Sequence, residues 1–463
     1  MVTTRTTAGA RTAAGPRTAA GPQAIRRMAF LRSIEIQQTG PYLSHLRDTF
    51  VKDGIQAKLF YTDGDCTAAD FPGEAAKMSP DVTADQAAAH LLEWQPDAVI
   101  SLSIADENAL RDALVKEELA AHGIPMVMHS VEATRQLANK WDTKELVRSF
   151  GLDTPDGMLL DGDLLNGRSL AVPSYLELVE HNALRFGFPL LTKPLWDCLA
   201  NGVSFLDGKA DLRTYLRSPY NGNAVLEKCL RGELCSVEII GRAGEYVIQP
   251  LIWKGPTGGK PEFTFGNLRY AAPRPAAEAD FAPVAQILRD MCAEIGIEGA
   301  AEIEMIYTDG VYQIIEINPR VSGSTTLSIA ASGCNTYACL VDLAMGRWSQ
   351  AVAHDREQAH HRLAFQFPVT ELTAEAVRAM ESELDLVRAT QLHIDGVDHG
   401  NVILSCRPAE AAHLVSTLRS LTGRFGLMPL HLIDEIDSVI RRAVPDTPPA
   451  VPRNSEFAGT ATS

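Results

Sequence analysis

Between Met28 and about Ser130, short apolar runs alternate with stretches in which apolar positions recur every three to four residues. "MAFLRSIEI", "IQAKLFYT", "PDAVISLSI" and "IPMVMHS" read as strands, and the segments between them as helices. That alternation predicts an α/β N-terminal domain with a parallel sheet flanked by helices. No G-x-G-x-x-G lies within it, so the fold by itself names no ligand. One helix is then predicted over "SVEATRQLANKWDTKELVRSFG", closed by Gly151 with Pro155 just beyond. From there the pattern turns antiparallel. "FPLLTKPL" and "GVSFLDG" flank a short loop. "NAVLEKCLRGELCSVEIIGRAGEYVIQPLIW" holds a strand, a connector, and a hairpin turning near Arg242-Ala243-Gly244. A helix over roughly 277–295 leads to a second hairpin, "EIEMIYTDGVYQIIEINPRVSGS" (302–324), and to the helical "TTLSIAASGCNTYACLVDLAMG". The His-rich "AVAHDREQAHHRL" reads as a solvated linker, with a small α+β cap after it. The expected units are 28–130, two lobes at 131–228 and 229–347, and the cap at 362–445, between disordered tails at 1–27 and 446–463.

Composition narrows the function classes. The chain has 463 residues, too many for one compact core, and 46% hydrophobic with 22% charged residues describes a globular protein. A formal net charge of −16 argues against a nucleic-acid partner or an anionic membrane. Eight cysteines are scattered without a C-x-x-C pair, which suits reduced thiols in the cytoplasm. No apolar run reaches the ~18–20 residues of a spanning helix. The first 27 residues carry five arginines and no acid but lack the apolar core of a secretory signal.

The second hairpin is where the pattern breaks. Glu302, Glu304 and Glu316 interrupt strands that otherwise look like core, where an unpaired carboxylate is costly. Glu302 and Glu304 share a face of their strand, as do Glu316 and Asn318. A two-residue Asp-Gly turn pairs Glu304 with Ile315 and sends Glu304 and Glu316 to opposite faces. A three-residue Thr-Asp-Gly loop pairs Glu302 with Glu316 and Glu304 with Ile314, and three carboxylates then converge with one amide. Like charges so placed repel and call for a cation, and hard oxygen donors favour Mg²⁺ or Mn²⁺. A solvated edge hairpin would carry the same acids without a site. Upstream, Lys140 and Lys193 are single cations beside apolar segments. Glu227 and Glu233 bracket a short connector whose free backbone groups suit an adenine edge, with Glu233 placed for ribose hydroxyls.

The order Lys140, Lys193-Pro194, "EKCLRGE", then Glu304 and "EINPR" twelve residues on resembles the ATP-grasp superfamily of carboxylate–amine ligases over about 28–345. It looks like the group that includes L-amino acid ligases, D-alanine–D-alanine ligase and biotin carboxylase. The resemblance implies two α+β ATP-grasp lobes, ATP and Mg²⁺ (or Mn²⁺) as cofactors, and these roles. Lys140 and Lys193 hold phosphate oxygens. Glu227 and Leu230, with Lys228 between them, meet adenine, and Glu233 meets the ribose. Glu304, Glu316 and Asn318 hold the metal. Arg320, with Lys193, serves the transferring phosphoryl group and the oxyanion. Two departures stand out: the usually Gly/Ser-rich phosphate loop reads "LWDCLANGV", and Glu302 replaces an arginine common to D-alanine–D-alanine ligases.

The chemistry agrees with that assignment. Joining an amine to a carboxylate in water needs prior activation as an acyl phosphate, and phosphoryl transfer needs positioning and charge neutralisation. An acyl phosphate also needs shelter from water. "IWKGPTGGKPEFTFGNLRY" (252–270) is the lid or substrate-loop candidate, and Lys254, Lys260, Arg269, Ser322, Gly323 and Ser324 are candidate substrate contacts. The expected partners are a small carboxylate and an amine, amino acids foremost, with a homodimer as the default assembly. Two other readings use the same residues: a carboxylase-like or nucleotide-precursor enzyme acting on bicarbonate, and a non-catalytic ATP-binding regulatory protein.

Overall fold

The computed structural model describes residues 25–33, 40–166, 173–196, 202–218, 222–260, 266–357, 362–394 and 397–444. Most of the expected tails, residues 197–201 of the atypical phosphate loop, 261–265 of the lid candidate and the His360–His361 pair lie outside them.

Five strands, β1 (Arg27–Arg32), β2 (Gln56–Tyr61), β3 (Glu74–Lys77), β4 (Ala98–Ser101) and β5 (Met126–Val127), form the parallel sheet in the order β3-β2-β1-β4-β5. Four of them were legible as apolar runs. The edge strand β3 was not, because "EAAK" is largely solvent-facing and carries no apolar signal. A second sheet, order β6-β9-β7-β8, is built from β6 (Gly157–Leu160), β7 (Leu190–Pro194), β8 (Ser204–Leu206) and β9 (Ala224–Lys228), whose neighbours pair antiparallel.

The third sheet has nine strands: β10 (Gly232–Arg242), β11 (Glu245–Ile248), β12 (Ile252–Thr257), β13 (Arg269–Ala271), β14 (Glu298–Thr308), β15 (Val311–Asn318), β16 (Leu363–Val369), β17 (Asp385–Ile394) and β18 (Val397–Cys406). Its order is β15-β14-β10-β12-β13-β16-β18-β17, with β11 on β10. The strands expected in a separate cap therefore extend the sheet that carries the acids, because β16 pairs with β13. One face of this sheet is core: Cys235, Trp253, Met305, Phe365 and Val402 pack against the helices Pro275–Glu294, Ala411–Phe425 and Leu430–Ala443. The other face carries the site.

The parallel sheet is fixed against this scaffold by polar contacts around the buried His129. His129 Nδ1 accepts from the Glu298 N–H at 3.2 Å, so its Nε2 carries the proton and donates to the Ala300 carbonyl at 3.1 Å. Lys116 pairs with Glu298 at 2.6 Å. Val127, Ile240, Ala300 and Leu340 close the apolar part of the joint.

The helix expected across 130–151 is two helices, Val131–Ala138 and Lys140–Ser149. Asn139 stands between them in extended conformation, and its Oδ1 accepts from the N–H groups of Trp141 and Asp142. Asparagine competes for backbone partners in this way, which restarts the helix with Lys140 as its first residue.

Candidate active site

The β14–β15 hairpin turns on Asp309 and Gly310, with φ of 50° and 85°, and Thr308 faces Val311. That is the two-residue turn, suited to an Asp-Gly pair in left-handed conformation. Taken alone it would throw Glu316 to the far face. A bulge intervenes: Met305 pairs with Ile314 while Glu304 pairs with Glu316, so Ile315 is the extra residue. Glu302 then stands opposite Asn318, and all four side chains share one face. The expected convergence is met, but through a register that neither sequence alternative contained.

A lysine relieves the repulsion this creates. The β10–β12 ladder bulges so that Leu234 meets Gly255 and Cys235 meets Trp253, leaving Lys254 as the extra residue. Its buried Nζ lies 2.8 Å from Glu302 Oε1 and 2.6 Å from Glu304 Oε1. Ser236 Oγ donates to Glu302 at 2.9 Å. Burial pushes the Glu302 carboxyl up, yet Lys254 outweighs that and draws it down to about 2. Glu302 is therefore the counter-ion of Lys254, and Glu304 and Glu316 remain partly open.

Lys140 Nζ approaches Glu316 Oε1 at 3.4 Å. Burial pushes Glu316 up to about 7, with Lys140 opposing the rise and Glu304 and Asp106 adding to it. Arg320 donates from Nη2 to Asn318 Oδ1 at 3.0 Å and from Nε to Asp106 Oδ1 at 3.0 Å. Asp106 is buried at the start of the helix Asp106–Ala121, just past the carboxyl end of β4, so the parallel sheet supplies a site residue. Burial raises the Asp106 pKa, against the opposing fields of Arg320 and Lys140.

Lys193, on β7, forms a second knot. Its Nζ lies 2.6 Å from Glu227 Oε1, and Lys144 Nζ lies 2.9 Å from Glu227 Oε2. The carboxylate is buried, which pushes its pKa up, but the two ammonium groups draw it down to about 2. Just past it, the connector Cys229–Arg231 joins β9 to β10, and its Leu230 carbonyl accepts from Thr257 Oγ1 at 2.9 Å.

The remaining candidates divide. Ser322 and Ser324 are buried in the loop after β15, where Ser322 N donates to Thr325 Oγ1 and Ser324 N to Ser322 Oγ, with Gly323 between them. Arg269 is half-buried on the site face. Lys228 and Lys260 are exposed. Glu233 does not join the cluster. Strand alternation puts it on the face of Cys235 and Tyr307, and it is held there by Arg274, whose guanidinium stacks 3.8 Å from the centre of the Trp253 ring.

Sequence reading missed Asp106, Lys144 and Ser236. Asp106 had a usable signal, since parallel sheets present their sites beyond the carboxyl ends of strands. Lys144 and Ser236 had none, because each matters only through a partner distant in sequence.

Residues 137–324 match the ATP-grasp domain family. Over that stretch the chain carries an ATP-grasp domain. It is an ATP-dependent ligase of the carbon–nitrogen class. All of the site residues above except Asp106 fall within the ATP-grasp match. The chain is 24% identical over 326 residues to the carbamoyl-phosphate synthase of Methanobrevibacter smithii, covering 70% of this chain and 83% of that protein. In fold it is similar to an L-amino acid ligase from Bacillus licheniformis (TM-score 0.63, 17% identity, 87% of this chain and 98% of that one). It is equally similar to the biotin carboxylase of Campylobacter jejuni (TM-score 0.63, 15% identity, 85% of this chain and 91% of that one). Among the described residues no helix is long and apolar enough to cross a membrane.

Proposed function

We propose that this ATP-grasp enzyme joins the carboxylate of one amino acid to the amine of another. The γ-phosphoryl group of ATP passes to a carboxylate oxygen, giving ADP and an acyl phosphate. The amine attacks the carbonyl carbon, the C–O bond to phosphate breaks, and the amine gives up a proton as the amide forms. Lys140 and Lys193 are assigned to phosphate oxygens and Lys254 to the charge between the acids. The adenine edge is assigned to the backbone of Glu227 and Leu230. Arg320 is assigned to the reacting carboxylate and then to the oxyanion, where a preorganised donor counts most.

Glu304, Glu316 and Asn318 are the metal candidates. Among the described residues no three His, Cys, Asp or Glu side chains form a self-sufficient cage. Two carboxylates and one amide are instead the partial set that suits Mg²⁺ or Mn²⁺ when phosphate oxygens complete the shell. Bound there, the ion would neutralise phosphate charge during transfer.

The observation favouring an amino acid over a simple carboxylate is the buried pair of Arg320 and Asp106, 3.0 Å apart. A guanidinium and a carboxylate side by side answer the two charges of a zwitterion. The test is ADP release across pairs of amino acids, with mass spectrometry of the product. Amine-dependent ADP and a coupled amide are expected, and Asp106→Asn should narrow the preference for an amino acid over its des-amino analogue. ADP release that never requires an amine would overturn the reading.

The overlap with carbamoyl-phosphate synthase favours a second reading, in which bicarbonate is the carboxylate. Bicarbonate offers no cation to Asp106, and ADP release driven by bicarbonate alone would favour it.

A further inference from the structure

The face that carries the acids continues, strand by strand, into β16 and β18. One row of it is apolar, Ile252, Ala271 and Ala364, which together with Ile403, the β18 residue opposite Gln366, pack beneath Leu327, Ala330 and Ala331 of the helix Thr325–Ser332. Two residues along β12, β13 and β16 the same face becomes polar, with Lys254, Arg269 and Gln366 in place of Ile252, Ala271 and Ala364. Arg269 stands directly opposite Gln366, and lies in the field of Glu304 and Glu302. Gln366 is only 1% exposed. Its Nε2 donates to Asn401 Oδ1 at 2.9 Å, which orients the amide, while its Oε1 is buried and has no hydrogen-bond partner among the described residues. Leaving a buried acceptor unmet is costly, so such an atom calls for a partner, a water, an ion or a ligand group, and this one stands on the site face beside Arg269.

We propose that Arg269 and Gln366 form the subsite for the amine-donating amino acid. Its carboxylate pairs with the Arg269 guanidinium, and its amino N–H donates to Gln366 Oε1. Asn401 is a positioning residue that fixes the amide. This rests on the ligase reading and adds to it the place of the second substrate, at the seam where β13 meets β16. The strands after residue 362 then contribute to selecting the amine as well as to the sheet.

Steady-state ADP release, with the amine partner varied at saturating ATP and first acid, tests the assignment on Gln366→Leu and Gln366→Glu. Gln366→Leu removes the acceptor and should raise the KM for the amine partner about ten- to a hundredfold, with the KM for ATP within about twofold. Gln366→Glu keeps an acceptor and should stay within about threefold of the parent. An unchanged amine KM in Gln366→Leu, or a parallel rise for ATP, overturns the proposal. Should Gln366→Leu fail to fold, Asn401→Ala carries the same measurement, with a smaller rise expected. A parent enzyme without amine-dependent ADP release would sink the ligase reading instead. The subsite is then judged by thermal shift with free amino acids: stabilisation of the parent that Gln366→Leu loses supports it, and no stabilisation of the parent rejects it.

Discussion

Lys140 Nζ lies 3.4 Å from Glu316 Oε1 across 176 residues of chain, joining the first turn of a helix to the carboxyl end of a hairpin. The same logic recurs through the site, where Lys193 answers Glu227, Lys254 answers Glu302 and Glu304, and Arg320 answers Asp106. The cations assigned to phosphate are thus held by the protein's own carboxylates, in the positions where nucleotide oxygens and metal are assigned.

Glu316→Gln keeps the shape of this cluster and removes one charged oxygen donor. Divalent-metal-dependent ATP turnover should be lost, while the thermal transition stays close to the parent's. Normal turnover at millimolar Mg²⁺ would remove Glu316 from the metal set.

Lys254→Met should destabilise the fold by about 3–5 kcal/mol, because Glu302 is left as a buried, uncompensated charge. Adding Glu302→Gln should recover most of that loss. Urea titrations of the two single variants and the double variant close the cycle, and additive losses would show that the pair is not coupled.

The joint between the sheets should be acid-sensitive. Burial lowers the His129 pKa from 6.5 to about 4, with its hydrogen bond to Ala300 opposing the shift and Lys116 adding to it. Between those values the unfolded chain binds the proton and the folded one does not. Stability from this group is therefore complete above pH 6.5 and falls as pH drops toward 4, by about 3 kcal/mol in all. Denaturation midpoints measured from pH 7.5 to 4 should show the slope, and His129→Gln should flatten it.

Asn139→Ala removes the cap between the helices Val131–Ala138 and Lys140–Ser149. A loss of about 1 kcal/mol is expected, with a several-fold rise in the KM for ATP as Lys140 loses its fixed start to the helix. Stability lost with an unchanged KM would detach Lys140 from the nucleotide.

Much of this was legible in one dimension. The alternation of apolar runs gave the parallel sheet, and Glu304, Glu316, Asn318 and Arg320 kept a spacing that identified both the superfamily and the metal candidates. Those signals are local, arising from side-chain period and from motifs within one hairpin. The edge strand β3, short and solvent-facing, carried too little apolar pattern to be seen. Glu233, expected at the ribose, is paired with Arg274 on the face opposite the acids, a partner that no local motif records.

What the chain order determined, then, was which residue types lie on which strands, because a period of two or 3.6 is written in the sequence. What only the tertiary structure decided was which charges meet. Two single-residue bulges, at Ile315 and Lys254, choose the face and the partners of the acids. A bulge follows from how neighbouring strands pack, and no periodicity along one strand records it. The same holds for Asp106 and Gln366, which sequence separates from the acid hairpin and which reach its face only once the sheets are assembled.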